Sequence, residues 1–210
     1  MNRTLILILF LIFSSCVDQK TKQHKPDYNK DLIDEYNQIH RDDRFILAQN
    51  SDTLKLAIQL MDKIIEKEPE FIPAYYSKYD YQCRIGNKQG AINTLKKIVK
   101  YEKHNLTTYF HLAMIYEQVG LSDSSQYYLE LSNKEYGKRC EKGNCSKEDQ
   151  LNILYQKLYQ GELSEGQALV KLKDTTTKAE YDFYAPFVQD FNRDEFLNSH
   201  CQKIVIDQEN

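Results

Sequence analysis

Apolar positions recur along this chain with a period of 34 residues. The small residues Ala57, Ala91 and Ser125 stand 34 apart. Each is followed four positions later by a large apolar residue, Met61, Leu95 or Leu129, and preceded by a turn, at Asp52, Gly86 or Gly120. Self-similarity at this period is the mark of stacked supersecondary units that bury their apolar faces against one another. Between the turns, large residues at helical spacing alternate with small ones, as two antiparallel helices require when one inserts knobs where the other leaves room. The predicted fold is therefore all-α, a solenoid of antiparallel helix pairs, with extra helices at the C-terminal end.

Beyond Cys145 the pattern stays helical but leaves the 34-residue register. Ser146 with Asp149 predicts a capping box ahead of the apolar stripe Leu151, Leu154, Tyr155 and Leu158. Gly161 ends that helix, and Ser164 with Gln167 opens another through Ala168, Leu169 and Leu172. Thr175, Thr176 and Thr177 lead into an aromatic stretch, Tyr181, Phe183, Tyr184, Phe187 and Phe191, with an interruption expected at Pro186.

The start of the chain follows a different rule. Arg3 precedes nine uninterrupted apolar residues, Leu5 to Phe13, and then Ser14, Ser15 and Cys16. A basic start, a short apolar core and small residues form a secretory signal. Nine residues are too few for a membrane span, which needs roughly 20. From Val17 to Pro26 the chain is polar, carries Lys20, Lys22 and Lys25, and has nothing to bury, so it reads as a flexible tether.

These features divide the 210 residues into a signal at 1–15, Cys16 and a tether at 16–28, a repeat region at 29–139 and a C-terminal helical region at 140–210. The formal net charge is -3 and no basic stripe stands out, which argues against nucleic acid as a partner. Seven Gly, four Pro and long Lys/Glu/Gln/Leu-rich stretches favour helix over sheet. Cys140 and Cys145 flank Glu-Lys-Gly-Asn, a turn that brings two sulfurs within reach of a disulfide in an exported protein, the alternative being two free thiols. Whether Cys83 and Cys201 pair depends on the fold.

No phosphate loop, nucleophile elbow or zinc-protease motif occurs in the sequence, and no cofactor is implied. His104 and His111 lie seven apart, which allows a shared helix face, but two ligands do not make a structural metal site. The expectation is a non-catalytic protein without a metal.

Phe13-Ser14-Ser15-Cys16 resembles the lipobox of bacterial lipoproteins, although Phe13 stands where that family prefers Leu. The resemblance implies acylation of Cys16, a membrane anchor and a place in the cell envelope. Val17 after the Cys leans towards the outer membrane. At 72–105 and 106–139 the chain resembles the tetratricopeptide repeat. The second window carries Tyr109, Leu112, Ala113, Tyr116, Gly120, Ser125 and Leu129, while the first departs at Lys78 and Tyr79. An earlier window, from about Gln38, keeps Ala57, Met61, Ile64 and Pro69 but has Arg41 and Arg44 where large apolar residues belong.

That second resemblance implies a groove lined by first helices that grips a peptide segment or helix of another envelope protein. The positions concerned are Pro73, Tyr76, Asp80 and Cys83, and Thr107, Phe110, Met114 and Glu117. The partner-binding candidates are Tyr76, Asp80, Phe110, Met114 and Glu117: aromatics supply contact area, Met adapts its shape, and the two carboxylates favour a basic group. Alternatively the same residues face the chain's own C-terminal part. The functional expectation is a lipid-anchored scaffold. An immunity or inhibitor lipoprotein that occludes a toxin or hydrolase is the alternative.

Overall fold

The computed structural model describes residues 28–204, apart from 47, 49, 104, 142 and 144, and for Asp43 the backbone alone. The signal, Cys16, the tether up to Pro26 and His104 lie outside the described residues. Eleven helices run through the described part, which divides into two compact units. One comprises 28–103 with 201–204, and the other 105–200.

The first unit holds α1 (Lys30–His40), α2 (Asp43–Ile46), α3 (Ser51–Lys67), α4 (Ile72–Arg84) and α5 (Lys88–Tyr101). Asn50 caps α3 by accepting from the Thr53 amide at 2.8 Å, so the turn expected at Asp52 lies just before that residue, which occupies the first helical turn. Leu54, Ala57, Met61 and Ile64 make one fully buried stripe on α3, and Ala91, Leu95 and Ile98 make another on α5. α4 lies against both helices and buries residues on opposite sides, including Ala74, Tyr75, Tyr79 and Tyr81. Between α4 and α5, Thr94 donates to Gln82 at 2.8 Å, which satisfies a buried polar pair.

Lys78 and Tyr79 depart from the repeat pattern without opening the pair. Tyr79 is buried, and the Lys78 stem runs along the surface to an ion pair with Asp62. The earlier first helix also differs from its expected window. α1 begins at Lys30 and ends at His40, so Arg41 falls outside it and Arg44 turns outward in α2 to pair with Asp42. Leu32, Ile39, Phe45 and Ala48 do the burying instead.

Gly86 closes the α4–α5 turn at φ +76°, a left-handed conformation that only glycine adopts without strain. Here residues 201–204 come in. Cys201 is joined to Cys83 with Cα atoms 4.3 Å apart, and the Ile204 amide donates to the Arg84 carbonyl at 3.0 Å. The Arg84 guanidinium in turn caps the end of α2 through the carbonyls of Phe45, Ile46 and Ala48 at 2.7–3.0 Å.

The second unit holds α6 (Leu106–Gln118), α7 (Ser122–Glu141), α8 (Lys147–Tyr159), α9 (Glu165–Thr175), α10 (Lys178–Gln189) and α11 (Arg193–Ser199). α6 and α7 form the second repeat, in which Ser125, Leu129, Ser132 and Tyr136 are the buried stripe of α7. The capping boxes Ser146–Asp149 and Ser164–Gln167 open α8 and α9, and a third, Thr177–Glu180, opens α10. Arg139 braces the first of these through Asp149 at 3.0 Å. The expected interruption at Pro186 does not occur: α10 continues through it to Gln189, with Ala185 and Val188 buried on either side. Cys140 and Cys145 are joined across their turn with Cα atoms 4.4 Å apart.

The two disulfides differ in the loop they close. In the chain-entropy model, the 118-residue separation of Cys83 and Cys201 is worth ~5 kcal/mol and the 5-residue separation of Cys140 and Cys145 ~2 kcal/mol. Urea unfolding of the Cys83→Ser/Cys201→Ser and Cys140→Ser/Cys145→Ser double variants should show the larger loss of stability in the first. Equal losses would contradict this ordering.

Candidate functional site

The groove positions named by the repeat pattern fall into two classes, one on each unit. On α4, Tyr76 is half-buried and donates its hydroxyl to Glu102 at 3.0 Å. Asp80 is exposed and lies 3.8 Å from Arg84. The Pro73 carbonyl accepts from Tyr36 at 3.4 Å, and Cys83 is taken up by its disulfide. This stretch is polar and solvated at its centre.

On α6 the arrangement differs. The helix buries nine of its thirteen residues, and apolar side chains surround it on all sides. α7 covers one side, bringing Leu129 to Ala113. On the other, Phe110 and Met114 are 7% and 2% exposed, covered by Tyr159, Phe191, Phe196 and Leu197. The aromatic rings interlock: Phe110 meets Tyr159 edge-on at 5.4 Å and Phe196 in a stack at 6.4 Å. Phe110 and Met114 are therefore not an open face. An apolar helix requires cover on both sides, and the chain supplies it from its own C-terminal region.

Polar contacts fix that cover in register. Glu117 accepts from the Tyr159 hydroxyl and from Arg193 at 2.5 Å. Arg193 also donates to the Tyr159 carbonyl at 3.0 Å, and its guanidinium lies 4.4 Å from the centre of the Tyr159 ring. Gln118 donates its side-chain amide to the carbonyls of Leu197 and His200, closing the C-terminal end of α11. Burial, and then the bond to Glu117, hold the Tyr159 hydroxyl neutral well above the usual tyrosine range. Glu117 thus pairs with a basic group of the chain itself, Arg193.

His111, on α6, packs its ring 4.8 Å from that of His200, a buried residue just past α11. Burial pushes the His111 imidazole down from 6.5 to about 4. No group of three or more His, Cys, Asp or Glu able to hold a metal occurs among the described residues.

Sequence reasoning missed Arg193, Phe196 and Gln118 because their partners lie 76 to 86 positions away along the chain. One signal was available. Once Cys16 is given to the lipobox and Cys140 is paired with Cys145, Cys83 and Cys201 are the two left, and pairing them draws residue 201 back to a groove-forming helix.

Two outcomes follow. Phe110→Ala should destabilise the protein by about 3–5 kcal/mol, the cost of emptying an aromatic core position, and Tyr76→Ala by markedly less, in denaturant titrations. A His whose folded pKa is depressed contributes stability that is complete above its unfolded pKa. Stability should thus decline as pH falls from 6.5 through 4, and His111→Gln should flatten that decline in a pH series of thermal melts.

The paired-helix geometry agrees with the comparison to known proteins. Over 104 residues, 48% of this chain, the sequence is 32% identical to a TPR repeat-containing protein of Methanocaldococcus jannaschii. The aligned part spans 18% of that protein's length. No family model matches the chain, and no solved structure matches it. The chain is all-helical among its described residues and carries tetratricopeptide-like helical repeats.

Proposed function

We propose that this protein is a lipid-anchored, non-catalytic scaffold that binds a segment of another envelope protein at its helical repeats. The observation that carries this reading is the seat on α6. Aromatic, acidic and amide side chains at Phe110, Glu117 and Gln118 hold a short helix as a receptor holds a helical ligand. The relative's description as a TPR repeat-containing protein supports the same class. On α4, Tyr76 and Asp80 offer a half-buried aromatic beside an exposed carboxylate, suited to a partner with a basic residue.

The anchor rests on sequence: the Arg3 start, the apolar run Leu5–Phe13 and Cys16. No helix among the described residues is long and apolar enough to cross a membrane. Two or more acyl chains on Cys16 give a durable tether, because each buried methylene contributes about 0.8 kcal/mol. The outer membrane is the favoured site, from Val17 at the position after the Cys.

Cells expressing the wild type should incorporate a clickable palmitate analogue into the protein and retain it in membranes. Cys16→Ser should abolish both, and retention of label would remove the anchor. A photo-crosslinking amino acid in place of Tyr76 should yield a discrete adduct absent when it replaces the exposed Lys63. Identical adducts at both positions, or none at either, would defeat the scaffold reading.

A further inference from the structure

α11 has the properties of a bound segment more than those of a structural helix. It is seven residues long, and a helix that short does not persist in water unaided. None of its residues is fully buried, and its apolar contribution is the partly buried pair Phe196 and Leu197 packed on the cluster around Phe110. Phe191 and Arg193 border an open cleft of about 600 Å³ beside the α8–α9 turn, so this side of the segment is in reach of solvent. Its hold on α6 and α8 is concentrated in three places: Arg193 on Glu117 and Tyr159, Phe196 on Phe110 and Tyr159, and the Gln118 clamp on its last carbonyls.

Part of the seat is built by helices other than α11. Phe110 and Met114 are backed by Leu129 and Tyr159, and Glu117 keeps the Tyr159 hydroxyl. Arg193 and Phe196 are three positions apart, hence on one helix face, with Leu197 beside them. We propose that the α6 seat binds, from a protein partner, a short helical segment of the pattern Arg-x-x-Phe-Leu, and that α11 is an internal occupant which the partner displaces. The arginine engages Glu117, the phenylalanine packs against both Phe110 and Tyr159, and Gln118 caps the segment's C-terminal carbonyls. This inference rests on the scaffold reading and specifies the ligand chemistry of its second repeat.

The test uses the full chain and a fluorescein-labelled peptide of residues 190–200, titrated by fluorescence anisotropy. Arg193→Ala/Phe196→Ala removes the main contacts of α11 while leaving every side chain of α6 and Tyr159 unsubstituted. It should bind the peptide at least tenfold more tightly than the wild type. A peptide with Ala in place of its Phe196 equivalent should lose at least tenfold. Adding Glu117→Lys should abolish binding, and a peptide with Glu in place of the arginine should restore it. Circular dichroism melts confirm that each variant is folded. In the wild type, saturating peptide should raise hydrogen exchange across residues 193–199, a readout that needs no variant.

Equal binding by the double variant and the wild type, equal binding of the Ala-substituted peptide, or unchanged exchange at 193–199 would overturn the proposal. Dimerisation of the wild type by exchange of α11 would assign the seat to a second copy and overturn it likewise. If the peptide fails while the adduct at Tyr76 persists, the motif falls and the scaffold stands. If both fail, the scaffold reading falls too.

Discussion

Close approach of paired helices at a small residue is the constraint on which the rest of this structure depends. Helix axes pack 8–10 Å apart, and reach the lower end only where one side chain is nearly absent. Ala57, Ala91 and Ser125 meet that requirement on the second helix of each pair, at 0%, 0% and 5% exposure. Met61, Leu95 and Leu129, one turn on, fill the space that the approach creates. The first helices tolerate more variation. At Tyr79 a ring is buried where a small residue is expected, and its hydroxyl is held neutral well above the usual range by burial. With the pairs fixed, the outer faces of α4 and α6 become surfaces of defined register.

What those two faces present follows from polarity. On α4 the centre of the face carries half-buried Tyr76 and exposed Asp80, whose polar atoms meet Glu102 and Arg84. On α6 the corresponding positions are Phe110 and Met114. Contiguous apolar surface of that kind must be covered by the chain or by a partner, or it becomes a site of unspecific association. The same offsets thus yield a polar centre at Tyr76 and Asp80 on one unit and an occupied apolar seat on the other.

How much of this the sequence disclosed depends on the range of the interaction involved. The capping boxes at Ser146 and Ser164 span three residues and were legible, as was the Cys140–Cys145 turn. The small-large periodicity was legible because it repeats. The start of α1 was not, because Arg41 and Arg44 leave the buried work to Leu32, ahead of the expected window, and to Ile39 and Phe45, at other positions within it. Pro186 was read as a break. A proline lacks one donor, but the carbonyls of Pro186 and Val188 still bond the turn that follows, and the buried Ala185 and Val188 hold the helix together. The occupant of the α6 seat was the least legible feature. Phe110 and Glu117 announce a demand for an aromatic and a base, but any segment of this chain or another can supply them. Only the fold selects Phe196 and Arg193.

Chain connectivity makes that selection durable. α11 follows α10 within the same unit after a short connection. A short tether keeps its occupant at a millimolar effective concentration. An external segment therefore competes against a local concentration, and weak binders are excluded whatever their sequence. Apolar cover alone would not discriminate among amphipathic helices. The Arg193–Glu117 pair and the Gln118 clamp do, because a competitor lacking a base leaves the carboxylate of Glu117 with one fewer donor in a partly desolvated place. In the proposed scaffold, the segment that keeps α6 from unspecific association also sets the affinity and the chemistry that a partner must bring.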